Sequence, residues 1–227
     1  MGNDKRALSE QTADAILKLI NSQYRMGDQI PNEMELAQQL QVSRTTVREA
    51  IKLLCAINVV EIKRGKGTFV CGNPGMPKDP FGYRFVDKHK LVNELYETCL
   101  LFEPEIAALA ASKATPDSIE KLQTASEKLF SNIDEYNRGN IGIIQLIQNE
   151  SDFHEAIAGC CDNSMLMRLV PLIVDGLLER YYWNASLLTQ YLYKYHEDLK
   201  NAICNKNPEE ARKYMRLHLL EVKNCII

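Results

Sequence analysis

Apolar positions change period between residues 27 and 70 of this chain. Leu36, Ala37 and Leu40 stand at helical spacing, and so do Val47, Ala50, Ile51 and Leu54. Asn32 precedes Glu35 by three positions, the arrangement in which a capping side chain and a carboxylate one turn on satisfy each other's backbone amides. Gln41-Val42-Ser43 has the length of a tight turn, and Ser43 is placed to cap a second helix. The period then becomes that of extended chain. Val59-Val60-Glu61-Ile62-Lys63 is β-rich, Arg64-Gly65-Lys66-Gly67 is a glycine turn, and Thr68-Phe69-Val70 returns. Helix, turn, helix and hairpin in that order predict a winged helix-turn-helix, a device that lays one helix in the major groove of duplex DNA.

Beyond this stretch the pattern is helical throughout. Residues 91–112 are rich in Leu, Ala and Glu, and Thr115-Pro116 reads as a cap followed by proline at the first helical position. Asn207-Pro208-Glu209-Glu210 repeats that start signal and opens a last helix with Ala211, Tyr214, Met215 and Leu219 on its apolar side. Breaks at Arg138-Gly139-Asn140, Cys161-Asp162-Asn163 and Asn184-Ala185-Ser186 divide the region into about six helices. The expected fold is therefore mainly α: a winged helix-turn-helix with a small β-hairpin over residues 1–72, a linker over 73–87, and an all-helical bundle over 88–227. The linker is drawn where Gly72, Pro74, Gly75, Pro77, Pro80 and Gly82 crowd together.

Charge separates the same two parts. Residues 1–90 carry 14 basic and 10 acidic side chains, and residues 91–227 carry 13 and 20, so a net −3 conceals a basic front and an acidic back. Only the front is suited to a polyanion. The 45% hydrophobic content is ordinary for a globular chain. Seven cysteines (Cys55, Cys71, Cys99, Cys160, Cys161, Cys204, Cys225) form an odd set without a regular framework, which implies a reducing, cytoplasmic setting. The start MGNDKRALSE lacks the apolar core of a signal peptide, and no apolar run approaches the roughly 18 residues that span a bilayer, so no membrane partner is expected.

Two groups of residues carry chemistry. On the second helix Arg44, Thr45, Arg48 and Lys52 fall largely away from the apolar face. Arginine can bond a guanine edge or a phosphate in bidentate fashion, and hydroxyls of Ser43, Thr45 and Thr46 suit phosphate oxygens. Arg64, Gly65 and Lys66 give the hairpin tip positive charge. A lone basic helix is most often a solvated surface; the ordered set with a basic wing favours DNA. In the back half His154, His196 and His218 fall on three separate helices, with Glu150 one turn before His154 on the same face. They are candidate metal ligands, or else polar caps and satisfied core residues, since spacing alone does not bring successive helices together. Tyr181, Tyr182, Tyr191, Tyr193 and Tyr195 read as core or subunit-contact residues rather than pocket lining, and Cys160-Cys161 as helix-end packing. An enzyme is disfavoured: no HExxH pattern occurs, nor a second Glu-x-x-His pair of the di-iron type.

Residues 30–50 (IPNEMELAQQLQVSRTTVREA) and 64–70 (RGKGTFV) resemble the DNA-binding domain of GntR-family transcriptional regulators. Residues 95–111 (LYETCLLFEPEIAALAA), 152–157 (DFHEAI) to Asn163, 196–203 (HEDLKNAI) and 211–218 (ARKYMRLH) are similar to the helical FCD effector-binding domain of the FadR-like subfamily. The resemblance implies a divalent metal, zinc or nickel by the donor set, held by Glu150, His154, His196 and His218 and helping to seat a small carboxylate effector nearby. It implies a homodimer on a near-palindromic operator, by default a repressor, with Ser43, Arg44, Thr45, Thr46, Arg48, Arg64, Gly65 and Lys66 at the DNA. Three positions depart from the family pattern. Glu150 replaces the more frequent aspartate, Cys99 stands where an effector-neutralising arginine is often found, and Met34 stands where the helix-turn-helix commonly has arginine.

Overall fold

The computed structural model describes residues 6–76, 79–178 and 185–226. The chain divides into two units, Met1–Arg84 and Phe85–Ile227.

In the first unit, helices α1 (Leu8–Gln23), α2 (Glu33–Leu40) and α3 (Arg44–Ala56) precede an antiparallel hairpin of β1 (Val60–Lys63) and β2 (Gly67–Val70). Asn32 accepts from the amides of Met34 and Glu35 while the Glu35 carboxylate accepts from Asn32 N–H, so the capping box forms as the sequence predicts. Gln41 ends α2 in the left-handed region, and Ser43 caps α3 by accepting from Thr46 N–H at 3.0 Å. The apolar faces meet: Ile16 and Ile20 of α1, Leu36 of α2, and Val47, Ala50, Ile51 and Leu54 of α3 share one core with Val59, Val60 and Val70. α1 lies ahead of the elements read from the pattern. Its N-cap, Ala7, makes no side-chain capping bond, so that helix start carries no capping signal in the sequence.

The hairpin turns over residues 64–66, one residue tighter than expected, because Gly67 already pairs with Lys63. Gly67 has a φ of +122°, a conformation that side chains resist. Residues 28–30 run beside β2, with Ile30 N–H donating to Thr68 C=O and Val70 N–H to Asp28 C=O, so the wing is pinned to the segment entering α2.

The second unit is all helical: α4 (Lys88–Lys113), α5 (Pro116–Asn137), α6 (Ile143–Gly159), α7 (Ser164–Leu178), α8 (Ala185–Cys204) and α9 (Pro208–Ile226), after a short 3-10 turn at Tyr83–Phe85. Thr115 caps α5 with Pro116 at the first helical position, and Asn207 Oδ1 accepts from Glu210 N–H at the start of α9. The most extensive helix pairings are α4/α9, α8/α9, α5/α6 and α6/α7. Buried Leu122, Leu129 and Ile133 of α5, Leu146, Phe153 and Ile157 of α6, Leu199 and Ile203 of α8 and Met215 of α9 fill the interior. Tyr181 and Tyr182 lie outside the described residues, as do the side chains of Tyr191 and Tyr193; Tyr195 stacks on Tyr214 with ring centroids 6.5 Å apart. No helix among the described residues is long and apolar enough to cross a membrane.

Candidate nucleic-acid interface and metal centre

The start of α3 and the hairpin tip present the residues singled out for DNA. Ser43, Arg44, Thr45, Arg48, Arg64, Gly65 and Lys66 are exposed and Thr46 is half-buried. Ser43 Oγ lies 2.8 Å from Thr46 Oγ1, and the wing tip is steadied by Gln29 Nε2 donating to Lys66 C=O at 2.9 Å. The side chains at the front of α3 therefore face solvent beside the helix N-terminus, where backbone amides and the helix dipole attract phosphate. One contact has no signal in the sequence pattern. Arg48 is forked onto Glu33 of α2, Nη2 donating to Oε2 at 2.7 Å and Nε to Oε1 at 3.0 Å. These hydrogen bonds hold the Glu33 carboxyl below the usual carboxylate range against its slight burial.

In the helical unit Glu150 and His154 stand one turn apart on α6, His196 comes from α8 and His218 from α9. All four are buried. One ligand atom from each lies within 4.8 Å of the others. The glutamate is the hub: His196 Nε2 is 3.0 Å from both carboxylate oxygens, and the Nε2 atoms of His154 and His218 are 3.4 and 3.5 Å from Oε1. The Glu150 carboxylate thus faces three imidazoles from three helices. Asp152, the other carboxylate near His154 on α6, turns away from the cluster and pairs with Lys128 at 2.8 Å.

A fifth residue, Glu103 of α4, completes the arrangement and is not among the candidates that the sequence pattern singles out. Its buried carboxylate pairs with His154 Nδ1, which leaves His154 Nε2 directed at Glu150. The signal was present, since Glu103 shares a face of α4 with buried Cys99, Ile106, Ala107 and Ala110, an apolar stripe on which a carboxylate requires a partner. Burial opposes ionisation of Glu150, but the pull of His196, the hydrogen bonds of His154 and His196, and the nearness of His218 hold it well below the usual carboxylate range. Burial disfavours a charged His154 too, yet Glu103 and then Glu150 push its pKa up to about 10. Burial and the neighbouring imidazoles hold His218 well below its usual value, against the pull of Glu150.

These residues fit a divalent cation. Two carboxylates buried together require positive charge, three imidazole nitrogens and one carboxylate match the ligand preferences of zinc and nickel, and His154 is oriented by a carboxylate on its other nitrogen. Bonds of about 2.0 Å at tetrahedral angles place ligand atoms about 3.3 Å apart. The Glu150 to imidazole distances bracket that value, while the four ligand atoms as a set spread to 4.8 Å, so an ion would draw the imidazoles closer together. His196 Nδ1 is buried without a hydrogen-bond partner among the described residues. Cys99 is fully buried, its thiol pushed far up by burial and by Glu103, so it is a neutral wall beside the centre. Cys160 and Cys161 pack at the end of α6, their thiols against Ser118 C=O and Ile106 C=O.

Residues 8–70 match the family described as bacterial regulatory proteins, gntR family, and residues 94–221 match the FCD domain. The chain belongs to the GntR family. Within it the FCD domain marks the FadR-like subfamily. The chain is 31% identical over 216 residues to the HTH-type transcriptional regulator LutR of Bacillus subtilis, a match covering 91% of this chain and 94% of that protein. It is 31% identical over 220 residues to the Uxu operon regulator of Haemophilus influenzae, covering 88% and 74%. A solved structure described as Streptococcus agalactiae GntR superposes with a TM-score of 0.77 at 31% identity, covering 95% of this chain and 99% of that one. This GntR-family protein is a DNA-binding transcriptional regulator, not an enzyme.

Proposed function

We propose that this regulator senses a small organic acid through a divalent metal held by Glu150, His154, His196 and His218, and that it acts as a homodimeric repressor on a near-palindromic operator. The observation that carries this reading is the convergence of four buried donor side chains from α6, α8 and α9 on one point. Zinc or nickel fits those donors, and a bound ion with an open position supplies a Lewis-acidic anchor for a carboxylate. Cys99 contributes no cation, so the anionic group of the effector relies on the metal for its counter-charge. Glu103 holds the ring of His154 and fixes which nitrogen faces the ion.

At the DNA, Arg44 and Arg48 read bases or phosphates, Ser43, Thr45 and Thr46 hold the backbone, and Arg64, Gly65 and Lys66 form the wing contact. Two reading heads related by a two-fold axis match a palindrome. An effector alters DNA affinity only if it binds the two dispositions of the heads unequally. The full burial of all four donors also favours a second reading, in which the ion only locks the bundle. Chelation separates them. If the metal is part of the sensor, stripped protein stays folded by circular dichroism, still binds DNA and loses its response to organic acids; if it is only a structural lock, the helical signal collapses on chelation.

A further inference from the structure

The fork between Glu33 and Arg48 joins the two helices of the helix-turn-helix across fifteen residues of sequence. Both side chains reach solvent, at 31% and 54% exposure, and exposed ion pairs contribute little to stability. The effect of the fork is geometric and electrostatic instead. Both carboxylate oxygens are engaged by Nε and Nη2, so the long arginine is confined to one disposition with Nη1 on its free edge, and its charge is largely offset. Arg44, at the first position of α3, is exposed and is held by no such fork among the described residues.

We propose that Glu33 is a specificity-determining positioning residue: it aims Arg48 at its operator contact and withholds the arginine's charge from the phosphates of unrelated DNA. The inference rests on the reading of Arg48 as a DNA contact. A carboxylate beside the duplex repels phosphate everywhere, whereas a pre-aimed guanidinium gains only where its partner on the DNA stands in register, so the pair sacrifices general affinity for discrimination.

The test titrates the full-length protein with the duplex that the wild type selects from a random-sequence pool, and with the unselected pool, across a salt series. Glu33→Gln is expected to bind the unselected pool about three- to tenfold more tightly, to lower the selected-to-unselected affinity ratio about tenfold, and to steepen the logarithmic salt slope on the pool by about one. Arg48→Ala, measured alongside, separates the two claims. If Arg48→Ala leaves the selected duplex unaffected, the DNA reading of Arg48 fails and Glu33 loses its role. If Arg48→Ala weakens that duplex while Glu33→Gln shifts neither ratio nor slope, the role of Glu33 alone is overturned. A lower melting temperature of Glu33→Gln with an unchanged ratio marks a merely structural pair and overturns it equally. Should Glu33→Gln not fold, Glu33→Asp keeps the charge but shortens the arm: a lowered ratio with an unchanged salt slope supports the proposal, and an unchanged ratio contradicts it.

Discussion

Glu150 is the residue on which the donor cluster is centred, because three imidazole nitrogens from three helices meet its carboxylate and all four side chains are buried. Glu103 acts one step further out. With its carboxylate on His154 Nδ1, the other ring nitrogen is committed to the centre. Glu103→Gln is expected to lower metal affinity about 10- to 100-fold in competition with a chromophoric chelator, whereas an unchanged affinity would leave Glu103 as filling. The pH dependence follows from His154. In metal-free protein its pKa is raised to about 10, so the folded chain keeps a proton that the unfolded chain has released above its ordinary value of 6.5. That contribution is complete below 6.5 and is lost as pH climbs through about 10. Chelator-treated protein should therefore lose stability across this window in denaturant melts, and metal affinity should fall as pH is lowered because a proton competes at Nε2. A metal affinity independent of pH would remove His154 from the ligand set. On the DNA side, Arg48→Ala should cost about 1–3 kcal/mol on the selected operator, read by titration; equal affinity would take Arg48 off the contact surface.

At the scale of elements, the caps decide where helices begin. Asn32→Ala removes the acceptor for two amides at the start of α2, and should cost about 0.5–2 kcal/mol in a denaturant melt of the folded protein; no change would mean that tertiary packing alone sets that end. These local signals explain why so much of the architecture could be read in advance. Asn32 with Glu35, Ser43, Thr115-Pro116 and Asn207-Pro208 act on neighbours within one turn, and the hairpin is announced by its β-branched run and glycines. The three histidines and Glu150 were legible as candidates, but only packing of α6, α8 and α9 brings them within ligand distance of each other. Glu103 meets His154 across 51 positions and Glu33 meets Arg48 across fifteen, separations over which no periodicity carries information. α1 is not legible for a different reason: a helix beginning after an alanine without a side-chain cap gives no start signal, although Ile16 and Ile20 join the core shared with α3.

For the whole molecule, two units carry two chemistries: a basic front with a recognition helix and wing, and an acidic helical back with a buried donor cluster. The family fixes the front as a DNA reader, and the proposed addition is that the back senses through an ion. Elemental analysis of purified full-length protein tests that addition most directly, with the His154→Ala/His196→Ala variant beside it. About one divalent ion per wild-type chain is expected, and almost none in the variant, which keeps its helical content. Wild-type protein that is metal-free, and stays so after incubation with zinc or nickel, would contradict it.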